Sequence, residues 1–471
     1  MTPEHKIRHF RSELLAPLVR NVIFPLWVAR DHPGYHQFFR EFQKNQFLSP
    51  TEIVQLQLSR LKRLLEHAIA NCPYYRNRAA KAGFSTATLT TLQDLRRFPP
   101  LTKGEIQDSG VDMLATNIPP NQRVRNQTGG STGSPLQFYV DKKRFASRAA
   151  ATNRHNLWAG FRPGDWCAYL WGARLDQIIQ PGLNDWVKNL LLYRRLELNT
   201  SQIEPRDWEQ FVKELRRKRP RFMVAYAQSA VQLGRYVREH QIDDVAFEAI
   251  ITTAEVLAPE QRSFLQETFG GKVFNRYGCR ELSVIASECE YQKMHVNADA
   301  LLVEIVRDPS SNDESGGILI TDLLNYSMPL IRYEIQDVGT WAREQNCACG
   351  RGLPILHEVR GRTTDFLVMN DGTQISGPAL TLVVADMADV RQVQFVQRAA
   401  DQVTLRVVPG NGYGEATRTE LQKRLNPYLR NRALLTIEEV NGIPRTLSGK
   451  YRFVIREMEK VAEQFAGLPQ D

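Results

Sequence analysis

Long apolar runs are missing from this 471-residue chain. Stretches such as 22–29 are broken by Pro25 and fall far short of the ~20 residues that a membrane-spanning helix needs. An amphipathic surface role for residues 7–29 and a core-facing helix both remain compatible with the pattern, and the core-facing helix is the reading adopted. The opening residues are charged and carry no apolar core followed by a small-residue cleavage site, so no signal peptide is expected. Cysteine is scarce: there are six, and Cys72 and Cys167 stand alone. That usage does not build a disulfide framework and fits a reducing cytoplasm. Internal repeats and low-complexity segments are also missing. A net charge of +9 is modest for the length. The basic clusters at 216–221 and at Arg430 and Arg432 have no nucleic-acid-binding signature beside them, so no nucleic-acid partner is expected. They read as solvated helix faces or as an attraction for anionic ligands such as nucleotides or coenzyme A.

What is present points to more than one domain. The chain exceeds the size at which a single core stops growing, and its 42% hydrophobic and 24% charged content is that of a globular protein. Residues 5–120 are mostly helical in pattern, with apolar residues three and four apart through 53–65. From about 120 to 340 strand-like runs alternate with helical ones, at 166–171, 221–225, 249–253, 273–276, 301–306 and 317–322. Such alternation predicts an α/β architecture with a substantially parallel sheet. Beyond about 365 short alternating strands (392–398, 402–408, 434–440) surround one amphipathic helix at 414–425. The expectation is a large domain over 1–364 with mixed sheets and helices, helical at its start over about 1–120. A small mobile α+β lid domain over 365–471 follows.

Five segments carry chemistry. The first is Gln-Thr-Gly-Gly-Ser-Thr-Gly-Ser-Pro at 127–135, where Gly129, Gly130 and Gly133 alternate with Thr128, Ser131, Thr132 and Ser134. Glycines let successive backbone N–H groups form a phosphate cradle, and the hydroxyls add short donors. A flexible linker has the same composition. No Lys follows Gly133, so the loop is not the GxxxxGK[ST] type. The second segment, Asn275-Arg276-Tyr277-Gly278-Cys279-Arg280-Glu281, follows a strand. It offers an aromatic face and a close-approach glycine where α/β sheets bind ligands. Glu281 suits Mg²⁺ bridging phosphates, or else lies on an ordinary turn. The third ends in Asp337-Val338-Gly339, where Asp337 could accept from both ribose hydroxyls or merely serve turn chemistry. The fourth, Gly361-Arg362-Thr363-Thr364-Asp365, lies at the composition boundary and suits nucleotide contact and a hinge, or a plain polar linker. The fifth, 443–450, presents Lys450 on a Gly-flexed loop, where a compact ammonium can meet developing negative charge or stay solvated.

In this order the segments resemble the adenylate-forming superfamily of acyl-CoA synthetases, adenylation domains and luciferases, over nearly the whole chain. Cys72-Pro73-Tyr74-Tyr75-Arg76 and the run from Cys347 to Pro354 resemble its phenylacetate-CoA ligase branch. The resemblance implies that Thr128, Ser131, Thr132 and their glycines hold the ATP phosphates. Ala254, Glu255, Asn275, Arg276 and Tyr277, with Gly278, would line the adenine and acyl side. Glu281 would bind Mg²⁺, Asp337 the ribose, and Arg362 would lie near ribose and phosphate. Asp365 would be the hinge, and Lys450 would contact the carboxylate and α-phosphate during adenylation. The sequence departs from the family at Cys279 and Arg280, where a small or hydroxyl residue and a Thr are usual; both would sit near the acyl group.

Cys289, His295, Cys347 and Cys349 supply three thiolates and one imidazole, a donor set for a closed structural Zn²⁺ site. Buried free cysteines with a surface histidine are the alternative. Cys279 belongs to the strand end rather than to this set. Trp158, Trp166, Trp171 and Tyr169 read as core aromatics, and His155 as a satisfied or surface histidine. The combined expectation is ATP-dependent activation of an aryl or hydrophobic carboxylic acid as acyl-AMP, with transfer to coenzyme A. The alternatives are transfer to an amine or a carrier-protein thiol, and a catalytically silent nucleotide-binding scaffold. Family resemblance also suggests a homodimer through the N-terminal helices.

Overall fold

A computed structural model describes residues 15–127, 136–171, 183–200, 205–307, 314–362, 366–370, 374–376, 389–429, 432–444 and 452–457, with 380, 384 and 387. The chain divides into two compact units, one built mainly from residues up to Val359 and one from Arg360 onward.

Helices open the first unit. Pro50–Asn71 begins where Ser49 and Glu52 form a reciprocal capping box: the Ser49 N–H donates to the Glu52 carboxylate at 2.8 Å, and the Ser49 hydroxyl accepts from the Glu52 N–H. Pro50 fills the first helical position, where its missing N–H costs nothing. Ile53, Leu61, Leu64, Leu65 and Ala68 form its buried stripe, and Pro73 ends it by starting the next helix, Pro73–Lys81.

Two antiparallel strands, β1 (Arg123–Gln127) and β2 (Gln137–Asp141), pair so that Gln127 faces Gln137. The glycine run 128–135 connects them and lies outside the described residues. Helix Lys142–Trp158 follows, capped by the Asp141 carboxylate, which accepts from the Arg144 N–H at 2.7 Å.

The centre is one eleven-stranded sheet. Its strands are β3 (Cys167–Trp171), β4 (Arg195–Asn199), β5 (Phe222–Tyr226), β6 (Ala249–Thr253), β7 (Lys272–Cys279), β8 (Ser283–Glu288), β9 (Met294–Val296), β10 (Leu301–Val306), β11 (Gly316–Asp322), β12 (Tyr333–Trp341) and β13 (Ile355–Arg362). Their order is β10-β11-β12-β13-β9-β8-β7-β6-β5-β3-β4. Strands β3 to β7 run parallel; from β7 into β8 and β9, and through β10 to β12, the pairing is antiparallel. The alternation of strands and helices therefore forecast one half of the sheet. Past β7 the crossover helices stop and short turns take over, so neighbours must reverse. β5 and β6 are buried along their whole length, as expected for parallel strands covered on both faces.

The described residues of the second unit include a two-stranded sheet (Phe366–Val368 with Gln374–Ser376) and a four-stranded sheet beside the helix Glu415–Leu429. The strands of the larger sheet are Val390–Ala399, Gln402–Pro409, Leu434–Glu439 and Val454–Arg456. Phe395, Leu405, Val407, Leu421 and Leu425 fill its core. Among the described residues no helix is long and apolar enough to cross a membrane.

Candidate active site

The parallel strands place their carboxyl ends in register: Trp171, Tyr226, Thr253 and Arg276 form one row, with Thr253 paired to Arg276 and Tyr226 to Thr253. Loops leaving that row are where open α/β sheets bind ligands. Ala254 turns out of β6 with φ +69°, a left-handed conformation unusual for a residue with a Cβ. The turn sends Glu255 across to helix Ala227–Glu239, where its carboxylate accepts the Gln228 N–H at 2.8 Å. A negative charge at that helix start is favourable. Glu255 thus has a structural duty beside the loop it sits on.

The Tyr-Gly-x-x-Glu segment forms the β7–β8 connection. A Cβ at Gly278 would lie 2.4 Å from the Ser283 carbonyl oxygen, so only glycine lets the two strands approach at the bulge. The turn 280–282 is clamped from below by two buried arginines of helix Lys142–Trp158. Arg148 donates to the carbonyls of Arg280 and Glu281, and Arg144 to that of Leu282. Asp322, fully buried at the end of β11, balances them: Arg144 Nε lies 2.8 Å from its carboxylate. Burial, reinforced by the neighbouring Arg144 charge, lowers the Arg148 pKa to about 10. Sequence reading missed all three residues. Arg144 and Arg148 are four apart in the sequence, so they share one helix face. Nothing local marks Asp322 as their partner.

Above the clamp the motif side chains meet. The Tyr277 hydroxyl donates to the Asp337 carboxylate at 2.7 Å, joining residues sixty positions apart. The Tyr333 hydroxyl donates to Glu281 Oε1 at 3.2 Å. Arg280 donates to the Gln127 carbonyl at 3.1 Å, which ties the Glu281 turn to the stem of the glycine run. Cys279 lies among these groups: burial, then the Glu281 and Asp337 carboxylates, push its thiol well above its ordinary pKa. It is held as a protonated thiol, not a nucleophile.

Other sequence-named residues fall elsewhere. Arg276 turns under the sheet and donates to Asn156 Oδ1 at 2.7 Å; burial lowers its pKa to about 10. The Asn275 N–H donates to Glu288 at 2.6 Å. Thr128, Gly129, Gly130, Ser131, Thr132, Gly133, Asp365 and Lys450 lie outside the described residues, as does the Arg362 side chain. Trp158 and Trp166 are buried, as expected of core aromatics. His155 is neither satisfied nor on the surface. It is buried and packs edge-on against Trp158, and among the described residues neither ring nitrogen has a hydrogen-bond partner. Burial, then the nearby Arg154 and Arg276 charges, hold its pKa well below the ordinary histidine value.

A second cluster forms where β8 and β9 meet the 347–349 loop. The ligand atoms of Cys289, His295, Cys347 and Cys349 all lie within 4.8 Å of one another. Cys289 Sγ and Cys347 Sγ are 3.7 Å apart, and Cys349 Sγ is 3.3 Å from His295 Nε2. A tetrahedral zinc with bonds of about 2.3 Å to sulfur has sulfur–sulfur edges of roughly 3.8 Å, so the spacing fits. His295 Nδ1 lies 3.0 Å from the Leu353 carbonyl. Donating there puts the proton on Nδ1 and leaves the Nε2 lone pair facing the thiols. Cys279 lies outside this set, and His295 is buried rather than superficial.

The chain can now be set beside known proteins. A family model described as the CapK C-terminal domain matches residues 367–457. Protein CapK of Staphylococcus aureus is 23% identical over 415 residues, covering 87% of this chain and 90% of that protein. The phenylacetate-coenzyme A ligase of Thermus thermophilus is 27% identical, covering 67% of this chain and 71% of its own length. Among solved structures, 2-hydroxyisobutyryl-CoA ligase in its postadenylation state superimposes with a TM-score of 0.72 at 22% identity, covering 90% of this chain and 94% of its own. Fold and sequence likeness together define an enzyme of the AMP-forming, acyl-CoA-synthetase-like type. The sequence likeness runs to phenylacetate-CoA ligases of the adenylate-forming superfamily, 25–27% identical over about two thirds of the chain.

Proposed function

We propose that the protein activates a carboxylic acid as acyl-AMP with ATP and passes the acyl group to coenzyme A. The observation that carries this reading is the meeting of Tyr277 with Asp337 and of Tyr333 with Glu281 at the carboxyl end of the parallel strands. Two carboxylates are oriented there by phenol hydroxyls, beside the stem of a glycine run. Asp337 accepts from the ribose hydroxyls. Glu281 offers a hard oxygen donor suited to Mg²⁺, which supplies charge neutralisation at the phosphates. Ser131, Thr132 and the glycines cradle those phosphates, Arg362 lies beside them, and Lys450 stabilises charge at the attacked phosphorus. The acid's carboxylate oxygen bonds to the α-phosphorus as pyrophosphate leaves; positioning and charge stabilisation suffice for such a step. The segment from residue 365 onward turns about Asp365 as a lid between the two half-reactions.

The acid class read from the resemblance is aryl or hydrophobic; Cys279, half-buried beside Glu281 and with its thiol pKa raised, gives that side of the site an uncharged wall. A second acceptor deserves a place, because both the C-terminal match and one full-length relative carry the CapK name. In that reading an amine or carrier-protein thiol takes the acyl group. Cys289, His295, Cys347 and Cys349 hold a structural zinc, which cross-links two distant segments when bound.

Acid-dependent ATP–pyrophosphate exchange across aryl, hydroxyacyl and aliphatic acids tests the first step. Exchange with at least one acid, lost in Lys450→Ala, is the expected result. ATP binding without exchange for any acid would favour the silent scaffold. Rerunning the active acid with coenzyme A and then with amines separates the two acceptors.

A further inference from the structure

Three buried arginines of the first unit are neutralised by carboxylates: Arg144 by Asp322, Arg154 by Asp299 and Arg332 by Glu304. Arg276 is also buried, at 8% exposure, yet among the described residues no carboxylate meets it. The one hydrogen bond its guanidinium makes there goes to the neutral Asn156 Oδ1 at 2.7 Å, and its Nε has no partner. His155, next to Asn156, likewise has no partner there for either ring nitrogen. Taking an ion out of water without a counter-ion is costly. With its pKa lowered by burial to about 10, the guanidinium still carries its charge at neutral pH.

Asn156 also lines a cavity of about 270 Å³, walled by the rings of Trp27, Tyr35, Phe161, Tyr169 and Tyr193. Tyr169 is in register with Val224, Ile251 and Phe274 across β3, β5, β6 and β7. Arg276 lies two residues beyond Phe274, so its side chain leaves the sheet on the same face as Tyr169. The two groups sense each other: burial raises the Tyr169 pKa, and the Arg195 and Arg276 charges oppose the rise. Of the other charges lining the cavity, Asp165 is paired with Arg20, Arg195 with Glu197, and Arg162 is exposed. Arg276 also stands in the row at the carboxyl ends of the parallel strands, one residue before Tyr277. The cavity therefore lies along the sheet face that leads to the candidate active site.

We propose that the activated acid is an aryl dicarboxylic acid, its ring held by the aromatic walls and its second carboxylate received by Arg276. The inference rests on the acid-activation reading above. A guanidinium offers a planar fork that meets a carboxylate in two parallel hydrogen bonds, which an unsubstituted ring edge cannot accept. The second carboxylate supplies the missing counter-ion, so the buried cation is neutralised when the acid binds. An acid without that group leaves the guanidinium uncompensated and is rejected for that reason. Arg276 is then a specificity-determining residue, distinct from the groups that handle ATP.

The test combines isothermal titration calorimetry and ATP–pyrophosphate exchange on the full chain with matched pairs of acids. Phenylacetate is set against 4-carboxyphenylacetate, and cinnamate against 4-carboxycinnamate. The dicarboxylic member of a pair should bind and exchange at least about tenfold better. In Arg276→Met that ratio should fall to unity or below, whereas a merely structural role would lower both members alike. Circular dichroism checks folding of the variant. If Arg276→Met does not fold, Asn156→Asp carries the test: it sets an internal carboxylate against the guanidinium and should abolish the preference in the same way. Equal binding of both members, no binding of any dicarboxylic acid, or a preference that the variants leave unchanged overturns the proposal. Dicarboxylic binding that the variants abolish, without exchange for any acid, supports the role of Arg276 and overturns the acid-activation reading instead.

Discussion

Two centres lie in the first unit, and their chemistry differs in kind. The Glu281–Asp337 centre is made of hard oxygen donors, half-buried and oriented by Tyr333 and Tyr277. The Cys289–His295–Cys347–Cys349 centre is made of soft donors drawn within 4.8 Å of one another. Hard donors suit a phosphate-bound Mg²⁺ that arrives and leaves with substrate. Three thiolates and an imidazole close a tetrahedron and leave no position for substrate. In the function proposed above, one centre serves turnover and the other holds the fold together. The contrast teaches that proximity alone does not mark catalysis; the softness of the donors and the openness of the site do.

The comparison can be broken by separating the effects of substitutions at each centre. The largest loss should come from Lys450→Ala, which should lower ATP–pyrophosphate exchange by about 10²–10³-fold with the melting temperature unchanged. Glu281→Gln and Asp337→Asn should each lower exchange by roughly 10²-fold and leave bound zinc, measured by plasma mass spectrometry, at its original stoichiometry. The opposite signature is expected at the other centre. Cys347→Ser should weaken zinc retention at least about tenfold and lower the melting temperature, while exchange per folded molecule stays near its starting value. Equal losses of exchange from Cys347→Ser and Glu281→Gln would erase the distinction. Tyr277→Phe removes one hydrogen bond to Asp337 and should raise the KM for ATP only several-fold, by about 1 kcal/mol.

The smallest effect sharpens the contrast from outside both centres. His155 is buried and held neutral, so below its unfolded pKa of ~6.5 the unfolded chain binds a proton that the folded chain refuses. Stability should then fall as pH drops below ~6.5, with a slope of up to about 1.4 kcal/mol per pH unit from this group. In His155→Phe, denaturant melts between pH 7 and 5 should show that slope reduced. An unchanged slope would mean that His155 is not the titrating group.

How much of this was legible beforehand varies by element. Strand boundaries such as 249–253 and 301–306 agree with β6 and β10, because buried strands write their apolar runs directly into the sequence. The parallel reading failed beyond β7, since strand direction depends on the connections and partners rather than on the strand's own residues. The motif residues were visible because glycines, Tyr-Gly and Asp-x-Gly carry backbone constraints that are local. Arg144, Arg148 and Asp322 were not, because a buried ion pair looks like surface charge until its partner is known. His155 was misread for the same reason: only packing decides whether an imidazole meets water.

The sequence by itself determined the elements, the motif order, the family likeness and the donor types, all of which depend on side-chain chemistry and short-range backbone preference. Tertiary structure alone decided which residues far apart in the chain would meet: Tyr277 with Asp337, Arg144 with Asp322, and Cys289 with Cys347. It also decided that, among the described residues, Leu15, Leu18, Val22 and Leu26 of the 15–31 segment stay exposed. Such pairings arise when the chain folds back on itself. They are fixed by burial and charge balance in three dimensions, which no local window of residues contains.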